Sequence, residues 1–187
     1  MTDQTVTRRS LAGLALGAAA VAATPAVAQM RRGAMAMGNP TAGSWMDQVM
    51  AQHRAIDMLF MRLKQTRDNQ MPMRTMLLKQ LADTLTAHSV AEEVTLYPAI
   101  AQKNNVPKSD ELYLEQSHAK VILNELDKMP KQGPAFITRL VALEAAIKEH
   151  VADEEGNAYP RLMAACSPAE NAKMTADFRM HYQKHIV

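Results

Sequence analysis

The stretch HSVAEEVTLYP, residues 88–98, is written a second time as HVADEEGNAYP, residues 150–160. Both copies read His, three residues, Glu-Glu, three residues, Tyr-Pro. Each sets a His and a Glu at i and i+4, His88 with Glu92 and His150 with Glu154, which on a helix is one face, one turn apart. Two further histidines, His53 and His118, precede the two copies at similar distances. The pattern predicts two helical hairpins that bring four His and two Glu to one level inside a bundle. That ligand set suits a pair of metal ions.

Working outward, the apolar residues step by three or four. Val49, His53, Ile56, Phe60 and Leu63 form one stripe, on a helix that Ser44 caps with Asp47 three residues on. Leu77, Leu81, Leu85, His88 and Glu92 form the next, on a helix expected from Met73 to Tyr97 and stopped or kinked by Pro98. A third helix is expected from the N-cap Ser109, with Leu114, His118, Val121 or Ile122, and Glu125 on its face. A fourth opens at Pro134 and carries Leu140, Leu143, Ile147, His150 and Glu154, weakened after Gly156 and Pro160. A last short helix starts at Ser167-Pro168-Ala169-Glu170, which joins a capping box to a proline at the first position. The expected fold is all-α: an up-down-up-down four-helix bundle over residues 44–165, then a C-terminal helix over 166–187. His181 and His185 also stand at i and i+4, but without an acidic partner, and are read as surface residues.

His53, His88, Glu92, His118, His150 and Glu154 all fall on the apolar stripes. A buried polar group without a partner costs on the order of 1–3 kcal/mol, and a buried carboxylate several more. A domain stable by about 5–15 kcal/mol does not carry six such groups empty. Lys and Arg are missing from these stripes, so one or two dications are the natural partners.

These motifs resemble the hemerythrin-like domains with the His-His-Glu cation-binding pattern, nearest in motif to the repair-of-iron-centres group. The resemblance covers about residues 44–165. It implies a carboxylate-bridged di-iron centre, with Glu92 and Glu154 as bridges, His53 and His88 on one iron, and His118 and His150 on the other. Glu93 and Glu155 are the alternative carboxylates if the helices are rotated. Zn or Mn also suits such ligands. Oxygen-carrying hemerythrins place a further His four residues after the third-helix His; Ile122 stands there in this chain. The function implied is binding of, or reaction with, a small diatomic ligand, O2 or NO. An iron donor, store or repair protein in stress resistance is the alternative. A ferritin-like oxidase is less in keeping, because paired Glu-x-x-His motifs are absent: Glu115-x-x-His118 is one, but Ile147 stands three residues before His150. No H-E-x-x-H protease motif occurs.

At the other end, Thr7-Arg8-Arg9-Ser10-Leu11 resembles a twin-arginine export motif, followed by an Ala-rich stretch and Ala26-Val27-Ala28 as a cleavage site. Residues 1–28 are therefore expected to be a signal peptide, 29–43 a flexible leader, and the mature protein periplasmic and without a membrane span. A net charge of +2 over 187 residues gives no sign of nucleic acid as partner. The one cysteine, Cys166, forms no internal disulfide.

Overall fold

A computed structural model describes residues 41–186. The expected signal peptide, and all but the last few residues of the expected leader, lie outside the described residues. Six α-helices follow in order: α1 (Trp45–Gln65), α2 (Met71–Gln102), α3 (Val106–Lys128), α4 (Gly133–Asp153), α5 (Tyr159–Ala165) and α6 (Pro168–His185). A 3-10 turn, Asp68–Gln70, leads into α2, and a π turn, Glu154–Ala158, joins α4 to α5. No strand occurs among the described residues. None of these helices is long and apolar enough to cross a membrane.

The caps follow the sequence. Ser44 Oγ accepts the Asp47 N–H at 3.2 Å while Asp47 Oδ2 accepts the Ser44 N–H at 2.9 Å, closing a capping box. Ser167 and Glu170 repeat the arrangement at α6. Two boundaries differ from expectation. The helix α2 runs on through Pro98 to Gln102, and Ile100 beyond the proline is buried in the core. The helix α3 begins at Val106 with Pro107 in its first turn, three residues before the expected cap. Ser109 instead lies inside the helix and donates its hydroxyl to the Tyr97 carbonyl at 2.9 Å.

The phase of α3 is a correction of more consequence. Its buried residues are Ser109, Leu112, Gln116, Ala119, Ile122 and Leu126. Of the residues expected on its inner face, Leu114 is 71% exposed and His118 and Glu125 are exposed with it; of the alternatives Val121 and Ile122, it is Ile122 that is buried. The apolar doublets Leu112/Leu114 and Val121/Ile122 allow two helical stripes, and packing selects the one that carries Gln116.

The helices α1–α2, α2–α3, α3–α4 and α4–α1 pack as neighbours, giving the four-helix bundle. The C-terminal helix is a fifth wall rather than an appendage. It lies along α2 and α1 and buries Met174, Phe178 and Tyr182. The Trp45 indole N–H donates to Asn171 Oδ1 at 2.9 Å, and the Trp45 backbone N–H to Thr175 Oγ1 at 3.0 Å. The apolar interior falls into two clusters. One is built on Ile56, Phe60, Leu81, Leu85, Phe136 and Leu140, the other on Trp45, Val49, Leu96, Tyr97, Tyr159 and Phe178. The His–Glu layer lies between them.

Candidate metal centre

Each histidine of the layer is fixed from outside. His53, on α1, holds Glu155 Oε1 at 2.7 Å through its Nδ1. His150, on α4, holds Glu115 Oε2 at 2.7 Å through its Nδ1. His88, on α2, holds Gln52 Oε1 at 2.9 Å in the same way. All three Nε2 atoms are thereby turned inward, an orientation typical of imidazole ligands held by an outer carboxylate or carbonyl. His53 Nε2 and His88 Nε2 face each other at 3.1 Å.

Two carboxylates, each with no exposure to solvent, close the layer. Glu92 Oε2 lies 3.3 Å from His88 Nε2. Glu154 Oε2 lies 3.4 Å from His53 Nε2, and Glu154 Oε1 3.2 Å from His150 Nε2. One ligand atom each from His53, His88, Glu92 and Glu154 can be chosen so that all lie within 4.8 Å of one another. Glu154 Oε2 is buried without a hydrogen-bond partner. Convergent nitrogens, two buried carboxylates and an orphaned oxygen are a donor set that a cation fits.

Two phenols and an amide complete the surroundings. Tyr159 places its hydroxyl 2.6 Å from both Glu92 Oε1 and Glu154 Oε1. Tyr97 donates to Glu154 Oε1 at 2.8 Å. Gln116 Nε2 donates to Glu92 Oε2 and to the Tyr97 hydroxyl, both at 2.5 Å. The π turn puts Glu154 and Tyr159 in reach of one another. Its defining bond runs from the Tyr159 N–H to the Glu154 carbonyl, five residues back, and this wider winding brings i and i+5 together.

The charges of the layer are tightly coupled to one another. Burial works against charge on His53, but the close Glu154 carboxylate, the hydrogen bond to Glu155 and the Glu92 charge prevail and raise it to about 9. His150 behaves alike: burial opposes its charge, and the Glu154 and Glu92 charges with the bond to Glu115 raise it to about 10. Burial and the neighbouring His53 charge hold His88 well below its usual value, so it stays neutral. Burial, then the Glu154 charge, raise Glu92 to about 8. Burial also opposes the Glu154 carboxylate, but the two charged histidines outweigh it and hold its proton affinity well below the ordinary value. Burial and the two glutamates push Tyr97 and Tyr159 well up, keeping both as neutral phenols. A layer that raises two buried imidazoles in this way attracts positive charge.

A family model for the hemerythrin HHE cation-binding domain matches residues 46–162, well over half of the chain. The chain belongs to the hemerythrin HHE cation-binding family. A curated relative of this hemerythrin-family chain, named a DNA nickase, from Nostoc sp. (strain PCC 7120), is 28% identical over 133 residues. The alignment covers 71% of this chain and 37% of the relative, so the chain spans little more than a third of that protein's length. No solved structure matches. Family and site together support metal binding.

Of the six residues expected as ligands, the hemerythrin-type bundle brings five together: His53, His88, Glu92, His150 and Glu154. His118 is exposed on α3 and stands outside the layer, for the reason of helix phase given above. Gln116 takes the inward position on α3, a residue type that carries no ligand signal in a sequence. Glu155 acts as the outer partner of His53, whereas Glu93 pairs with Lys120 at the surface. His181 and His185 lie on α6, partly exposed and away from the layer. Replacing His118 by Ala is expected to leave metal content and melting temperature within error of wild type. Loss of metal in that variant, measured by elemental analysis, would return His118 to the ligand set.

Proposed function

We propose that this bundle holds iron, two ions per chain, at the His–Glu layer and binds or reacts with a small diatomic ligand, O2 or NO. One observation carries the reading: the histidines of the buried layer line a cavity of about 30 Å³. His53, His88, Gln116 and His150 form its floor, and Ile56, Leu85, Ala119, Leu123 and Ile147 are among its apolar walls. The exposed Thr86 and Lys120, on α2 and α3, stand at its mouth. That volume takes one or two water-sized molecules. A phosphodiester backbone is far larger, which separates the proposed chemistry from the strand cleavage that the Nostoc relative's name describes.

Five residues would hold the metal: His53 and His88 on one side, His150 on the other, with Glu92 and Glu154 between. Bound there, iron would supply an open coordination position and a change of oxidation state to whatever enters the cavity. The chain's own contribution is positional. Glu155, Glu115 and Gln52 fix the imidazole orientations, Tyr159 ties the two carboxylates to each other, and the apolar walls limit entry to small uncharged molecules. We further propose that the protein is exported, by the twin-arginine route, on the strength of Arg8 and Arg9 and the stretch that follows. Cell fractionation tests that part.

The experiment for the main reading is elemental analysis of the protein purified from its own compartment. It is joined to absorption spectra of the anaerobically reduced protein before and after addition of O2 or NO. Two irons per chain, and a spectrum that changes with at least one of the gases, are expected. Protein that carries a redox-inert metal, or a ferrous form indifferent to both gases, would sink the proposal.

A further inference from the structure

Tyr97 and Tyr159 are the tenth residues of the two copies of the repeated phrase, and both are fully buried in the layer. Their oxygens are nevertheless placed differently. Tyr159 has its single proton between Glu92 Oε1 and Glu154 Oε1, and Trp45 packs edge-on against its ring at 5.5 Å. Its oxygen acts as a donor to two carboxylates. The Tyr97 oxygen receives a donor, the Gln116 amide, at 2.5 Å. It also lies 3.2 Å from His150 Nε2, 2.8 Å from Glu154 Oε1 and 3.4 Å from Glu92 Oε2. The same Gln116 nitrogen donates to Glu92 Oε2, so the amide presents its N–H groups to Tyr97 and Glu92, while its Oε1 is buried without a partner.

The layer is also unequal in nitrogen. Two imidazoles, His53 and His88, serve the side where they face each other at 3.1 Å. On the other side His150 is alone, because His118 is exposed. What stands beside His150 Nε2 is the Tyr97 oxygen.

We propose that Tyr97 is a metal ligand. Its phenolate oxygen, with His150 and the carboxylates of Glu92 and Glu154, makes an oxygen-rich position for a ferric ion beside the nitrogen-rich position of His53 and His88. The inference rests on the iron reading above. As the bond from iron to oxygen forms, the phenol O–H breaks and its proton leaves to solvent; no electron moves. The Gln116 N–H supports the resulting anion through a charge-assisted hydrogen bond. Oxygen-rich ligation favours harder ions, so this position selects ferric iron over Zn or Cu, while the His53/His88 position discriminates less. Tyr159 remains a neutral donor that spaces the two carboxylates.

The test loads the protein with ferric iron and records iron content, visible absorption and resonance Raman spectra on the same samples. A tyrosinate ligand gives a charge-transfer band in the visible, and excitation into that band enhances tyrosinate ring vibrations. The expected result is that wild type and Tyr159→Phe both show the band and Tyr97→Phe loses it. Circular dichroism confirms the fold of each variant, and if Tyr97→Phe does not fold, tyrosinate vibrations that persist in Tyr159→Phe carry the assignment, whereas their loss there overturns it. Iron-loaded wild type without tyrosinate vibrations overturns the proposal alone, as does a band that survives Tyr97→Phe. A wild type that takes up no iron overturns the proposed function and this ligand with it.

Discussion

Glu154→Ala is expected to lose most of the bound metal, with affinity reduced by more than about 100-fold. Removal of an outer partner of a ligand already costs about 10–100-fold, and Glu154 stands in the layer itself. Its Oε2 faces His53 and its Oε1 faces His150, so one substitution weakens both sides. Bound metal at a hundred times its dissociation constant adds about 2.7 kcal/mol to stability. At about 2–4 °C per kcal/mol for a chain of this size, the metal-loaded preparation should therefore melt at least about 5 °C lower. Glu92→Ala should behave alike, since Glu92 is equally buried and lies 3.3 Å from His88. The comparison is metal per chain with thermal melting, run with and without added ion. Full retention of metal in both variants would mean that these carboxylates are structural and that the ion, if any, lies elsewhere.

A second large effect is expected from pH. In the metal-free protein His53 is raised to about 9, His150 to about 10 and Glu92 to about 8. Between the unfolded value near 6.5 and these folded values, the folded chain binds more protons than the unfolded one through both histidines. Glu92 adds to the excess from about 4.5 to about 8. Stability must then fall as pH rises, because the slope follows the protons bound in the unfolded state minus those in the native state. The depressed groups, His88 and Glu154, have opposite sign, but their contributions are complete by about pH 7. From pH 7 to 9.5 the metal-free protein should therefore lose at least about 5 °C in melting temperature. Metal must displace the same protons, so its apparent affinity should climb at least about tenfold per unit between pH 6.5 and 8.5. The loaded protein should melt almost independently of pH over that range. A metal-free protein whose melting temperature is flat from pH 7 to 9.5 would show that the two imidazoles are not charged in the layer.

Much of this architecture was legible in the chain because burial imposes a period. The stripes of α1, α2 and α4 are unbroken, so the inward placement of His53, His88, Glu92, His150 and Glu154 could be read from spacing alone. The caps at Ser44 and Ser167 could be read for the same reason, that a local hydrogen bond needs particular residues at fixed offsets. The helix α3 was not legible. Its two candidate faces differ by the positions of a few leucines and valines, and the attractive histidine lies on the wrong one. Gln116 left no trace, because a glutamine can serve as an amide donor, a surface residue or filler. The tyrosines of the repeated phrase were visible as letters but not as contacts. Their reach depends on Pro98 lying within α2 and on the π turn before Pro160, and neither winding follows from local propensity. Pro98 read as a stop or a kink and Pro160 as a weak point, whereas the helical winding continues past both.

The polar layer between the two apolar clusters also bears on how the molecule comes apart. Each helix of the four-helix bundle feeds both clusters or borders both, so neither half can open without disturbing the other through the backbone. Side-chain cohesion, however, is interrupted at the level of His53, His88, His150, Glu92 and Glu154, where charge and hydrogen bonds replace close-packed methyl groups. In the metal-free chain that seam is held by hydrogen bonds and a few shared protons, so it is expected to open locally at a lower free energy than the two apolar clusters it joins. An ion shared by ligands from α1, α2 and α4 would tie the two clusters together across the seam, so loss of metal is expected to loosen the layer first, which hydrogen exchange at these residues would report.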